Sequence, residues 1–150
     1  LAQPFSYADS SIVVADERNA PIPAMGSVAP DGPCRSLDQA DVKRLRELFG
    51  NEFVVLLMIG SPREAAAAAI RASRLAWPAP CRIVAIGPDG PLAGVTVLDD
   101  TEGEIRQAYS EAGSSAYLIR PDGHLAAWIP LKRADAVDAL PGLQAIAIGG

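Results

Sequence analysis

Apolar residues in this chain cluster in short unbroken runs and in helical spacings, with turn residues between them. Phe53 to Ile59 is one unbroken apolar run, rich in Val and Leu and closed by Gly60. It is short for a helix, and apolar residues at every position predict a strand buried on both faces, as in a parallel or mixed sheet between helices. Arg82 to Gly87 repeats the pattern, Pro88-Asp89-Gly90 is a turn, and Val95 to Leu98 predicts a short strand. Ala116 to Arg120 and His124 to Ile129 predict two further strands, which the turn Pro121-Asp122-Gly123 joins into a hairpin.

The helical segments are marked by their starts. Ser36-Leu37-Asp38-Gln39 has the form of a capping box, Val42, Leu45, Leu48 and Phe49 follow at helical spacing, and Gly50 is a stop signal. Gly60-Ser61-Pro62-Arg63-Glu64 has a Ser cap, Pro at the first helical position and Glu three residues after the cap. The alanine-rich helix that it opens is expected to end near Ala76. Thr101-Glu102-Gly103-Glu104 predicts a third capping box and a short helix through Tyr109, and Arg133 to Leu140 predicts a last helix. The tail from Ala145 to Gly150 is weakly specified. Residues 1–36 read as an extended arm or linker: Pro21, Pro23, Pro30 and Pro33 break any helix, and only Ile12 to Ala15 forms an apolar run. Ile22, Met25 and Val28 suggest that the arm lies against something.

From Phe53 the order is strand, helix, strand, short strand, helix, strand, strand, helix. A helix between the first two strands makes them parallel, and the hairpin makes the last two antiparallel. The expectation is an α/β, thioredoxin-like fold over residues 37–150, a mixed central sheet flanked by helices, which lacks the Cys-x-x-Cys motif.

Length and composition agree with one domain. At 150 residues, roughly 70% of the unfolded surface can be buried. The net charge of −5 and the scattered basic residues, with no run longer than Lys132-Arg133, argue against a nucleic-acid partner. No apolar run reaches membrane-spanning length, so no membrane partner is expected either. Polar residues soon after Leu1 predict no secretory leader, and a start without Met suggests a piece or mature form of a longer protein. Cys34 and Cys81 are far apart, at neither metal-ligand nor framework spacing; a disulfide between them stays open, and two thiols in a reducing cytoplasm is the simpler reading.

Thiol chemistry in this fold would sit where the first core strand turns into its helix, because free N–H groups and the helix dipole stabilise a thiolate. Here that turn is Gly60-Ser61-Pro62-Arg63-Glu64, without Cys. An anion site using Arg63 and the helix N–H groups competes with the capping role of Ser61 and Glu64. The second thioredoxin feature, a proline before the third core strand, is missing from Gly113-Ser114-Ser115-Ala116. His124 beside Asp122 reads as a hairpin histidine. Asp99, Asp100, Glu102 and Glu104 read as capping and helix-dipole residues, not metal ligands. Phe53, Trp77, Tyr117 and Trp128 read as core or interface. No catalytic, cofactor-binding or metal-binding residue is therefore assigned.

The segment from Tyr117 to Trp128, with Arg120-Pro121-Asp122-Gly123-His124 at its centre, resembles the "VRPDGHVAWR"-like hairpin that closes FAD-dependent aromatic hydroxylases of the phenol, 3-hydroxybenzoate, hydroxyphenylpropionate and polyketide hydroxylase group. Other pieces follow in order. Tyr7 to Ser11 resembles the family's "Y-x-x-S", Gly26 to Pro30 its "PGxRAP", Leu48 to Leu56 its "LFGxGFxLL", and Val97 to Tyr109 its acidic stretch before a Tyr. Ala24-Met25 stands in place of the usual Pro before Gly26. Trp128 stands one position late, with no Arg after it, and such a shift would turn a strand side chain to the other face. The resemblance implies a C-terminal structural or oligomerisation domain. Its partners would be the upstream FAD and substrate domains and a homodimer mate, and the parent would use FAD and NAD(P)H, with no cofactor in this segment. The alternative is a stand-alone, redox-inactive thioredoxin-like protein-binding domain.

Overall fold

A computed structural model describes residues 12–13 (backbone only), 23–109 and 113–149. The arm's Tyr7 to Ser11 and Ile22 lie outside them. Seven strands form one mixed sheet, β1 (Ile12–Val13), β2 (Arg35–Ser36), β3 (Phe53–Met58), β4 (Cys81–Ile86), β5 (Thr96–Asp99), β6 (Ser115–Ile119) and β7 (Leu125–Pro130), in the order β1-β7-β6-β3-β4-β5-β2. The helices are α1 (Pro62–Ser73), α2 (Glu104–Tyr109) and α3 (Leu140–Gly149). β3 pairs parallel with β4 and antiparallel with β6, as the order of elements predicts.

Side chains on β3 alternate between two cores. Phe53, Val55 and Leu57 face α1, whose Ala65, Ala68, Ala69 and Ala72 lie flat on the sheet, together with Val137, Leu140 and Leu143. Val54, Leu56 and Met58 face the other way, toward Leu45, Leu48, Ile105, Tyr109 and the arm residues Ala29 and Cys34. Small alanines on α1 allow the helix backbone to approach the sheet closely, and each Val or Leu fully buried contributes roughly 1.5–3 kcal/mol.

The arm from Gly26 on is stitched to this second layer. Gly26 N–H donates to Leu125 O, Leu125 N–H to Ser27 O, and Ala29 N–H to Gly123 O. The Tyr109 hydroxyl donates to Pro30 O. Gly32 passes α2 so closely that a Cβ there would lie 2.7 Å from Ile105 Cγ1. Ser36, in β2 on the edge of the sheet, is buried.

This stitching corrects the helix expected over residues 36–49. The Ser36 hydroxyl does accept the Asp38 and Gln39 N–H groups, but no α-helix follows. Instead, Cys34 N–H donates to Lys43 O and Leu45 N–H to Gly32 O, so the arm takes backbone groups that a helix would need. Only a short 3-10 helix, Leu45–Leu48, remains. Its start is held by Asp31, whose carboxylate accepts the Arg46 N–H at 2.9 Å and the Arg44 Nε–H at 2.8 Å. The last helix is also displaced: Ala134–Ala139 is 3-10, and α3 runs on through the tail that looked weakly specified.

The strand that carries Trp128 is irregular. Leu118 pairs with Ala127 but Ile119 with Leu125, so Ala126 is the extra residue of a β-bulge. The bulge leaves Leu125 and Trp128 in the same core.

Asp31 generates a prediction. Burial raises its pKa, but hydrogen bonds from Arg44, Arg46 and Gly32, with the Arg44 charge, outweigh that and hold it below the ordinary 3.8. A depressed carboxyl pKa stabilises the fold above the unfolded value, and that stability is lost as pH falls through the folded value. Asp31→Ala should lower unfolding free energy by about 1–2 kcal/mol at pH 7 in urea titrations. The deficit should shrink once pH drops well below 3.8; an unchanged deficit there would contradict the charge-based account.

Candidate functional site

The corner that follows β3 is where this fold would carry a thiol pair. Ile59 N–H donates to Ile86 O, which prolongs the β3–β4 pairing by one residue. Gly60 N–H donates to Ser114 Oγ at 3.4 Å, in the loop where a proline would otherwise stand. No cis peptide bond occurs among the described residues. Ser61 is extended (φ −89°, ψ 125°), its Oγ accepts the Glu64 N–H at 3.4 Å, and Pro62 opens α1. Arg63 and Glu64 are exposed. The Glu64 N–H is engaged by Ser61, and the Glu64 carboxylate adds negative charge to the first turn, which disfavours an anion there.

The corner is braced by a residue that sequence reasoning missed. Arg106, on α2, donates from Nη2 to Ile59 O at 3.0 Å and to Ile86 O at 3.5 Å. One guanidinium thus ties together the ends of the two central parallel strands. The close fit continues at Gly87, at φ +136°, where a Cβ would collide with the Ile59 carbonyl. The available signal was the position of Arg106 directly after Ile105, beside the buried face that Ile105 and Tyr109 define on a short helix. The cap of α2 was also misplaced. Asp100, not Thr101, accepts the Ile105 and Arg106 N–H groups, at 3.1 and 2.9 Å. Asp100 also reaches them with two oxygens, which a Thr hydroxyl cannot do.

Beside the brace is an open cleft of about 400 Å³, whose lining includes Leu37, Gly87, Asp89, Asp99, Asp100 and Arg106. No group of His, Cys, Asp and Glu able to hold a metal occurs among the described residues. Asp99 pairs with Arg35 at 3.2 Å, and Glu102 and Glu104 are exposed.

Both cysteines are free. Cys34, in the arm, is buried in the second core. Burial, then the carboxylates of Glu47, Asp31 and Asp100, push its thiol up to about 11. Cys81 begins β4, and burial with the Glu52 carboxylate pushes it to about 12. A thiol so far above neutral pH supplies almost no thiolate, the nucleophilic form. Phe53, Tyr117 and Trp128 are buried in the cores, and Trp77, half-buried, donates its indole N–H to Ala72 O at 3.0 Å. His124 Nδ1 lies 3.2 Å from Asp122 Oδ1 on the hairpin. No helix among the described residues is long and apolar enough to cross a membrane.

The fold and this corner define a thioredoxin-like domain with a structural cap in the place of the thiol pair. The sequence profile of the HcaD C-terminal domain matches residues 27–141, and the chain belongs to that family. Among solved structures, the flavin-dependent monooxygenase PieE, in complex with FAD and substrate, is similar at 21% identity and a TM-score of 0.58, over 84% of this chain and 20% of that one. Aklavinone-11 hydroxylase, with FAD and aklavinone, is similar at 24% identity and 0.59, over 94% and 25%. Peroxiredoxin Q of Xanthomonas campestris shares the fold at 16% identity and 0.59, over 77% and 91%. The chain thus spans a fifth to a quarter of the two monooxygenase chains it matches. No curated protein matches it.

The thiols give the second prediction. At pH 7 the folded chain should react with a thiol reagent only slowly at Cys34 and Cys81 and should not accelerate insulin reduction, while full labelling should follow denaturation. Rapid labelling of either cysteine in the folded state would contradict the burial-driven rise of its pKa.

Proposed function

We propose that this chain is the non-catalytic C-terminal domain of an FAD- and NAD(P)H-dependent aromatic-ring hydroxylase, with a structural or subunit-contact role. The observation that carries the reading is the corner after β3. A fold whose chemistry depends on that corner has it filled by the Ser61 cap and the Arg106 brace. Its family, and a fold shared with part of two flavin-dependent monooxygenases, supply the context. Catalysis would then reside in the rest of a longer polypeptide.

The residues present do not fit FAD itself. No Gly-x-Gly-x-x-Gly fingerprint occurs in the sequence. The cleft beside the Arg106 brace presents Asp89, Asp99 and Asp100, whose charge opposes a pyrophosphate. FAD and the nicotinamide would be held by the upstream domains, which are the partners of this one, and a homodimer would form through the assembled enzyme.

The stand-alone reading, a redox-inactive protein-binding domain, draws on the peroxiredoxin, a chain covered to 91% of its own length. One purification separates the two. The native gene product that carries this sequence should be yellow, with flavin absorption and an NAD(P)H oxidation activity stimulated by an aromatic substrate. This chain alone should be colourless. A colourless gene product, no longer than this chain, would overturn the proposal and favour the stand-alone domain.

A further inference from the structure

The tripeptide Pro-Asp-Gly recurs along the chain, as Pro30-Asp31-Gly32, Pro88-Asp89-Gly90 and Pro121-Asp122-Gly123. An aspartyl–glycyl bond is chemically labile, because the glycine nitrogen can attack the aspartyl side-chain carbonyl carbon with no Cβ of its own in the way. The local sequence is the same each time, so the fold decides which copy reacts.

Two copies are held. The Asp31 carboxylate accepts the Arg46 N–H at 2.9 Å and the Arg44 Nε–H at 2.8 Å, and these partners keep it ionised. Gly32 lies against Ile105, and its carbonyl accepts the Leu45 N–H at 3.0 Å. A carboxylate fixed by charge-assisted bonds neither swings toward the next nitrogen nor gives up an oxygen. On the hairpin, Asp122 Oδ1 accepts the His124 N–H at 3.1 Å, Oδ2 accepts an Arg120 Nη2 hydrogen at 3.1 Å, and the Gly123 N–H donates to Arg120 O at 2.8 Å. Both reacting groups of that bond are therefore engaged. Asp89-Gly90 differs. It lies between β4 and β5, outside regular structure, and Asp89 is exposed. Among the described residues, the Asp89 side chain makes no hydrogen bond or ion pair, and the Gly90 N–H meets no main-chain acceptor. A Cβ on Gly90 would meet nothing within 4 Å, so the linkage has room to rearrange.

We propose that Asp89-Gly90 is a site of spontaneous covalent modification, at which aspartate isomerises to isoaspartate while Asp31 and Asp122 are protected by the fold. The Gly90 nitrogen bonds to Asp89 Cγ, the hydroxyl of the protonated carboxyl leaves with the amide proton as water, and a succinimide closes. Water then adds back. Breaking the bond from Cγ to nitrogen restores aspartate, whereas breaking the bond from the main-chain carbonyl carbon to nitrogen leaves the backbone running through Cγ and frees the α-carboxylate. The water lost is regained, and nothing is oxidised or reduced. The longer linkage would sit in the lining of the cleft beside Arg106, to which Asp89 belongs. The inference is independent of the function proposed above.

The test ages the full-length gene product at physiological temperature and neutral pH. Free isoaspartyl α-carboxylates are then tagged by an isoaspartyl methyltransferase with radiolabelled S-adenosylmethionine and located by peptide mapping. In the folded protein, label should accumulate on the peptide that carries Asp89 and not on those that carry Asp31 and Asp122. In guanidinium, where the local protections are gone, all of them should take label. Asp89→Glu keeps the charge but would have to close a larger ring, and its label should be lost. Gly90→Ala, for which the structure has room, should label more slowly because the new Cβ crowds the attacking nitrogen. Label at Asp31 or Asp122 in the folded protein as fast as at Asp89 would overturn the proposal, and so would an Asp89 peptide that stays unlabelled.

Discussion

The burial of β3 on both faces is the constraint on which the rest depends. Its two sides feed the two cores, and both of its edges are paired over most of its length, to β4 and to β6. Seven apolar residues in a row satisfy that requirement, and each side needs a covering layer. The alanine face of α1 supplies one cover. The other is assembled from pieces, namely α2, the 3-10 helix at Leu45–Leu48 and the arm. Because β3 ends at this doubly covered position, Ile59 and Gly60 emerge at a corner whose backbone groups need partners, and Ile86, Ser114 and Arg106 provide them.

The central elements were legible because their signals are local. The double-faced apolar run, the Ser-Pro-x-Glu helix start and the Pro-Asp-Gly turn each act through residues adjacent in sequence. What failed was non-local. The helical spacing of Val42, Leu45 and Leu48 was real, but the arm at Gly32 and Cys34 captured the backbone groups that a helix over those residues would have used. The cap of α2 belonged to Asp100, one residue before the pattern suggested. The bulge at Ala126, which puts Leu125 and Trp128 in one core, shows only in the strand pairing. The Arg106 brace connects residues 47 apart in sequence, and no spacing rule announces it.

These features fit the structural role proposed for the domain. Cys34 is buried and Cys81 half-buried, both thiols are raised far above neutral pH, the corner after β3 is capped and braced, and the arm adds main-chain bonds across the second core. Such a domain suits a role as a fixed body attached to a catalytic one. The polar groups that close the corner have the donor and acceptor pattern of structural contacts: Ser61 Oγ, Ser114 Oγ and Arg106 Nη2 each meet a main-chain group.

The central claim is that this corner is structural. The most direct measurement compares Ser61→Ala and Arg106→Ala with the wild type in the full-length protein, reading domain unfolding and turnover per bound flavin together. The account predicts lower stability, by about 1 kcal/mol for Ser61→Ala and 1–3 kcal/mol for Arg106→Ala, with turnover per flavin unchanged. Unchanged stability with a fall in turnover would contradict it and return the corner to the enzyme's chemistry.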